Sequence, residues 1–171
     1  YDYYSCVTEA EKVGGRTYQK IAGVDCWFEC NFSSEMPELN YDNPEVRQAM
    51  LDVAKYYLDL GVDGFRFDAV KYIYYGDTEQ SVAFWEWYME ELRKIDPDVY
   101  VVGECWSGES EILAYYGAMN CFNFAVSQAE GMMASTAKGN SMSKYTSYMA
   151  NYQKKVLEAN PEGMVMSFLS N

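Results

Sequence analysis

Two short segments carry carboxylates in positions that suit sugar chemistry. The first reads Gly-Phe-Arg-Phe-Asp from Gly64 to Asp68, and the second reads Val-Val-Gly-Glu from Val101 to Glu104. Each is an apolar run that predicts a buried strand ending in an acid. Retaining cleavage of a glycosidic bond requires one carboxylate that attacks and one that shuttles a proton. The pair Asp68 and Glu104 therefore predicts a glycosidase.

The neighbours of the two acids fit the same division of roles. Arg66 lies one pleat repeat before Asp68 on the same strand face, so its guanidinium can hydrogen-bond that carboxylate and keep it ionised. Glu104 must instead hold a proton near neutrality, which requires burial and a nearby negative charge; Trp106 and Asp68 can supply these. A structural interpretation stays open for each acid alone, with Asp68 paired to Arg66 and Glu104 capping a helix or lying in solvent.

Composition excludes several classes of function. The 171 residues include no histidine, which removes histidine-based triads, metal sites and general bases. The formal net charge of −13 argues against binding to nucleic acid or to an anionic membrane surface. A neutral substrate such as a glycan fits this charge, although acidity is equally a feature of solubility. No apolar run is long enough to predict a transmembrane segment, and the sequence leaves secreted, cell-surface and cytoplasmic locations open.

The cysteines predict neither a disulfide scaffold nor a zinc site. Five cysteines at irregular spacing leave at least one thiol over from any complete pairing. Cys26 and Cys30 lack a second cysteine pair at zinc-ribbon spacing. Metal ligands are therefore not assigned.

Hydrophobic periodicity predicts helices that alternate with strands. Helices are predicted over 43–61, 77–95, 110–116 and 145–159. Strands are predicted over 62–68, 100–104, 121–125 and 164–169. Residues 1–40 lack periodicity and residues 131–143 form a polar stretch, so both are predicted to be irregular.

This alternation predicts an α/β fold with a parallel sheet. Four strands and four helices correspond to half of a (β/α)8 TIM barrel. Barrel enzymes place their chemistry at the carboxyl ends of the strands, where Asp68, Glu104 and Asn171 fall. A doubly wound open sheet is the rival architecture, and it is disfavoured because no Gly-rich phosphate loop follows a strand.

Four ordered blocks of the chain resemble motifs of the α-amylase family of glycoside hydrolases, a (β/α)8-barrel clan that acts on α-glucans. Gly64–Tyr72 resembles the motif of the fourth strand, and Gly103–Trp106 resembles that of the fifth. Met36–Asn40 resembles the segment that follows a small domain inserted between the third strand and the third helix. Phe168–Asn171 resembles the start of the seventh-strand motif.

The resemblance implies a domain organisation and a role for each matched residue. Residues 1–40 would be the end of the inserted domain, and residues 41–171 would be part of the catalytic barrel, roughly strands 4 to 7. Asp68 would be the nucleophile and Glu104 the general acid/base. The implied substrate-binding residues are Arg66, Lys71, Tyr72, Trp106 and Asn171.

In the family, the third-strand motif would precede Tyr1, and the third catalytic acid would follow Asn171. We therefore expect the chain by itself to be inactive and prone to associate through unpaired sheet edges. The chemistry requires no cofactor. Family members often bind a structural calcium between the inserted domain and the barrel, and the resemblance leaves such an ion open for the full-length parent.

The expected activity is retaining hydrolysis of α-1,4-glucosidic bonds in starch, maltodextrins or maltooligosaccharides. Within the same chemistry, an oligo-1,6-glucosidase, a neopullulanase or a transglycosylase is the alternative. A non-catalytic glucan-binding or transporter-associated relative is the alternative from another class. Such a relative has no need of Asp68, Glu104 and Arg66 together.

Overall fold

The first part of the chain forms a small antiparallel sheet. The computed structural model describes residues 2–169. Strands β1 (Cys6–Val7), β2 (Tyr18–Lys20) and β3 (Trp27–Glu29) pair in the order β1-β3-β2. The prediction that residues 1–40 are irregular is wrong at these strands. Strands of two or three residues are too short to produce a detectable alternation of polar and apolar side chains.

Helix α1 (Pro44–Asp59) follows, with the boundaries that its capping residues predict. Asn43 is the N-cap and accepts a hydrogen bond from the backbone N–H of Glu45 at 2.9 Å. Gly61 ends the segment with a left-handed φ of +91°, a conformation that glycine adopts at little cost. The helix buries Val46, Leu51 and Ala54.

A parallel sheet carries the two candidate acids. Strands β4 (Gly64–Phe67), β5 (Tyr100–Gly103) and β6 (Asn120–Cys121) pair in that order, all parallel. Helix α2 (Thr78–Ile95) connects β4 to β5, and helix α3 (Glu109–Ala114) lies between β5 and β6. The predicted strand–helix alternation and parallel pairing are confirmed for these elements.

The last third of the chain departs from prediction in three places. The strand predicted over 121–125 is reduced to the two residues of β6 (Asn120–Cys121). Helix α4 (Met132–Ala137) occupies the stretch that was predicted to be an irregular polar loop. Helix α5 (Met142–Ala159) is confirmed and begins three residues before its predicted start, with Ser141 as its N-cap. The strand predicted over 164–169 is reduced to one parallel bridge between Met166 and Phe122.

The core lies between the parallel sheet and helix α2. Phe67 of β4 packs against Trp85 and Tyr88 of α2, with ring centroids 4.8 Å and 5.6 Å apart. The indole N–H of Trp85 donates to the carbonyl of Val70 at 2.9 Å. Burial of one such side chain contributes about 1.5–3 kcal/mol, so this contact anchors the end of β4 that leads into Asp68.

All five cysteines lie in the described part of the chain and carry free thiols. Between residues 2 and 169, no helix combines the length and the apolar character needed to cross a membrane.

Candidate active site

Asp68 stands at a strained turn directly after β4. Ala69 adopts a left-handed conformation, with φ 47° and ψ 45°, which costs a non-glycine residue roughly 1–2 kcal/mol. The backbone of Glu104 holds this turn from the neighbouring strand. Its N–H donates to the carbonyl of Phe67 at 2.8 Å, and its carbonyl accepts from the N–H of Val70 at 3.0 Å. The strain is thus maintained by hydrogen bonds between strand ends, as is common at functional sites.

One guanidinium contacts both candidate acids. Nη1 of Arg66 makes an ion pair with Oδ1 of Asp68, and Nη2 lies 2.9 Å from Oε1 of Glu104. The two carboxylates differ in environment, since the side chain of Asp68 is 72% exposed and that of Glu104 only 11%. The carboxylate of Asp68 is thus open to a ligand, whereas that of Glu104 is largely enclosed by the protein. Arg66 therefore brings together two acids of contrasting exposure.

Lys71 and Trp106 join the loops that follow the two strands. The ammonium of Lys71 donates to the backbone carbonyl of Trp106 at 2.8 Å. The indole of Trp106 is 65% exposed and lies almost parallel to the ring of Phe124, with centroids 5.7 Å apart and an interplanar angle of 10°. Its outer face is available to a ligand. Sequence reasoning missed Phe124 as a partner of Trp106. Phe124 follows β6 and Trp106 follows β5, and nothing in the sequence near either residue indicates that they meet.

Tyr72 lies within an aromatic group beside the acids. Its ring stacks on Tyr75 at 4.9 Å, and the edge of Phe32 approaches it at 5.5 Å. Phe32 comes from the segment between β3 and α1, and 61% of it is exposed. Sequence reasoning also missed Phe32, since it belongs to no periodic element and its site neighbours are distant in the chain.

Two clefts open on the acids, and Phe32, Ala69 and Tyr72 border both. The larger, about 250 Å³, leads to Asp68. The smaller, about 130 Å³, lies beside Glu104 and is also lined by Lys71 and Trp106. The structure thus gathers six of the seven candidate residues into one site; the seventh, Asn171, lies outside the described residues.

Two further acids, Glu29 at the end of β3 and Glu38 in the segment that follows it, already have hydrogen-bond donors. Glu29 is buried, and its two oxygens already accept hydrogen bonds from Arg16 at 3.1 Å and from the side chain of Asn31 at 2.6 Å. Glu38 accepts the backbone N–H of Asn31 at 3.0 Å, and burial, together with the charge of Glu29, raises its pKa. Within residues 2–169, no group of three or more His, Cys, Asp or Glu side chains could hold a metal ion.

A family model described as "Alpha amylase, catalytic domain" matches residues 8–171. The chain belongs to the alpha-amylase family. Alpha-amylase 3 of Dictyoglomus thermophilum is 44% identical over 128 residues, which are 74% of this chain and 25% of that protein. The 4-alpha-glucanotransferase of Thermotoga neapolitana is 40% identical over 87 residues, 50% of this chain and 18% of that protein.

Solved structures of the alpha-amylase family agree with the fold. The structure titled "Eubacterium rectale Amy13B" superposes with a TM-score of 0.86 at 27% identity, covering 96% of this chain and 32% of that one. The chain is accordingly part of a (β/α)8 barrel, and its matches span between 18% and 32% of the length of these three proteins. Which barrel strands β4, β5 and β6 represent stays a prediction.

Proposed function

We propose that the protein containing this chain cleaves α-1,4-glucosidic bonds in starch and maltodextrins by a retaining double displacement. The observation that carries the proposal is the contact of one guanidinium, Arg66, with two carboxylates of contrasting exposure, Asp68 and Glu104. Retaining cleavage requires one carboxylate that attacks and one carboxyl group that shuttles a proton, about 5–5.5 Å apart. A guanidinium that contacts both acids supports such a pairing. Membership of the alpha-amylase family supports an α-glucan as the substrate.

In the first step, the carboxylate of Asp68 attacks the anomeric carbon while Glu104 donates its proton to the departing oxygen. The glycosidic C–O bond breaks as the new ester bond forms, and the released sugar leaves with the proton. In the second step, Glu104 takes a proton from water, and the resulting hydroxide displaces Asp68. Two inversions give a product of the original α configuration.

Among the remaining site residues, Arg66 pairs with the charges of the two acids, and the others bind sugar. Arg66 stays a cation throughout and interacts with both acids as their charges change. Lys71, Tyr72 and the exposed face of Trp106 border the cleft on the Glu104 side, where the leaving sugar would lie. An aromatic face and a cationic donor are suited to the apolar face and the hydroxyls of a pyranose.

Transfer to a second sugar is the second candidate. It uses the same covalent intermediate but accepts a sugar hydroxyl in place of water. Two exposed aromatic side chains, Phe32 and Trp106, line the cleft beside Glu104 and offer surfaces for such an acceptor. The similarity to a 4-alpha-glucanotransferase supports this candidate too. A relative that only binds glucan would not need Asp68, Glu104 and Arg66 in contact.

The test is proton NMR of a maltooligosaccharide digest by the longest natural polypeptide that contains this chain. We expect the α-anomer to appear first, and Asp68→Asn and Glu104→Gln each to lose most of the activity. Glu79→Gln is the matched control, because Glu79 is an exposed acid in the first turn of α2. Early β-anomer would refute retention, and products longer than the substrate would favour transfer. Binding without turnover would support the non-catalytic relative.

A further inference from the structure

The loop between β5 and α3 carries Glu104 at its start and the exposed Trp106 in its middle. To hold Glu104 in one position, this loop must be fixed by contacts on both sides of the exposed Trp106. Lys71 supplies one anchor through the carbonyl of Trp106. The other comes from a residue that the proposed chemistry does not use, Glu111.

Glu111 lies in the first turn of α3, half-buried, and both of its carboxylate oxygens are engaged. The hydroxyl of Ser107 donates to Oε2, and the hydroxyl of Thr78 donates to Oε1 at 3.1 Å. Ser107 follows Trp106 directly, and Thr78 is the first residue of α2. One carboxylate thus ties the loop to the N-terminal end of the helix that packs under β4.

The negative charge of Glu111 acts on Cys105, the residue that follows Glu104. Burial raises the pKa of the Cys105 thiol to about 12, and the negative charge of Glu111 adds to this effect. Cys105 is the residue immediately after Glu104. The carboxylate of Glu111 is therefore near enough to the loop to influence its polar groups.

We infer that Glu111 is a positioning residue, which keeps Glu104 and Trp106 in place by holding Ser107 against Thr78. The inference rests on the proposed function, in which Glu104 protonates the leaving group. A displacement of about 1 Å in a catalytic group can cost on the order of a hundredfold in rate. Loss of the Glu111 anchor should therefore weaken proton donation more than it weakens attack by Asp68.

Proton donation by Glu104 and attack by Asp68 can be assessed separately with two substrates. Maltopentaose has a poor leaving group that needs a proton, whereas α-glucosyl fluoride releases fluoride and depends little on a general acid. In the longest natural polypeptide, we expect Glu111→Ala to lower kcat/KM on maltopentaose roughly ten- to a hundredfold. The value of kcat/KM on α-glucosyl fluoride should stay within about twofold, because it reports the first step, in which fluoride leaves with little help from Glu104. Glu111→Gln, which keeps one carbonyl acceptor, should recover most of the loss.

Ser107→Ala removes only the loop contact and leaves α2 and α3 intact, so it should show the same split between substrates even if Glu111→Ala fails to fold. Glu79→Ala should behave as the parent protein does on both substrates. Equal losses on both substrates, or no loss in either variant, would overturn the inference. If the parent protein turns over neither substrate, the proposed glycosidase function is refuted. That outcome is distinct from failure of the positioning role of Glu111, which requires an active parent protein.

Discussion

Replacing Arg66 with methionine tests whether one guanidinium holds the two acids together. Methionine retains an apolar stem of similar length but removes the charge and the donors. Loss of the partner of a fully buried carboxylate costs about 3–5 kcal/mol. Arg66 is 41% exposed and Glu104 only 11%, so solvent screening should reduce the coupling of this pair to roughly 1–3 kcal/mol. Asp68 is 72% exposed, and its coupling to Arg66 should be below about 1 kcal/mol.

Two double-mutant cycles measure these couplings. One combines Arg66→Met with Glu104→Gln, and the other combines it with Asp68→Asn. Urea unfolding, followed by tryptophan fluorescence and by far-UV circular dichroism, gives the free energy of unfolding of each variant where the two transitions coincide. As a control, Lys55→Met breaks an exposed helical ion pair with Asp59 and should cost less than about 0.5 kcal/mol.

The couplings should be unequal, with the larger one to the buried acid. Equal couplings, or a larger coupling to Asp68, would refute the reasoning that burial decides the strength of these contacts. Absence of any coupling to Glu104 would refute the bridging geometry itself.

Two further predictions concern the residues next to the acids. Ala69→Gly should change the free energy of unfolding by less than about 1 kcal/mol, because relief of left-handed strain offsets the added freedom of the unfolded chain; Ala69→Val should destabilise by about 1–2 kcal/mol or more. Urea unfolding checks both, and a loss of more than about 1 kcal/mol for Ala69→Gly would contradict the strained turn. Because burial raises the pKa of Cys105 to about 12, this thiol should stay protonated and resist iodoacetamide near pH 8.5 in the folded protein but react in urea. Peptide mass spectrometry gives the extent of labelling, and rapid labelling of the folded protein would show that the thiol is accessible.

Local sequence signals determined helices α1, α2, α3 and α5 and singled out the two acids. Asn43 and Gly61 delimit α1, and α2 begins one residue after its predicted cap, Asp77, because capping depends on side chains within a few residues. The period-2 pattern of β4 also predicted Arg66 and Asp68 on one face, and their side chains are in contact. These signals need no knowledge of distant residues.

Contacts between distant residues decided the rest. The antiparallel sheet of residues 6–29 is made of strands too short to show a period, and α4 lies in a polar stretch without a strong stripe. The sequence by itself named Asp68, Glu104 and Arg66 as a set. Only the parallel register of β4 and β5 set Arg66 against Glu104 as well as Asp68, and the backbone of Glu104 holds the left-handed turn at Ala69. Contacts outside these two strands brought Phe32 and Glu111 to the site. The physical reason is that side-chain types and short spacings act locally, whereas strand register and loop anchoring depend on packing across the whole sheet.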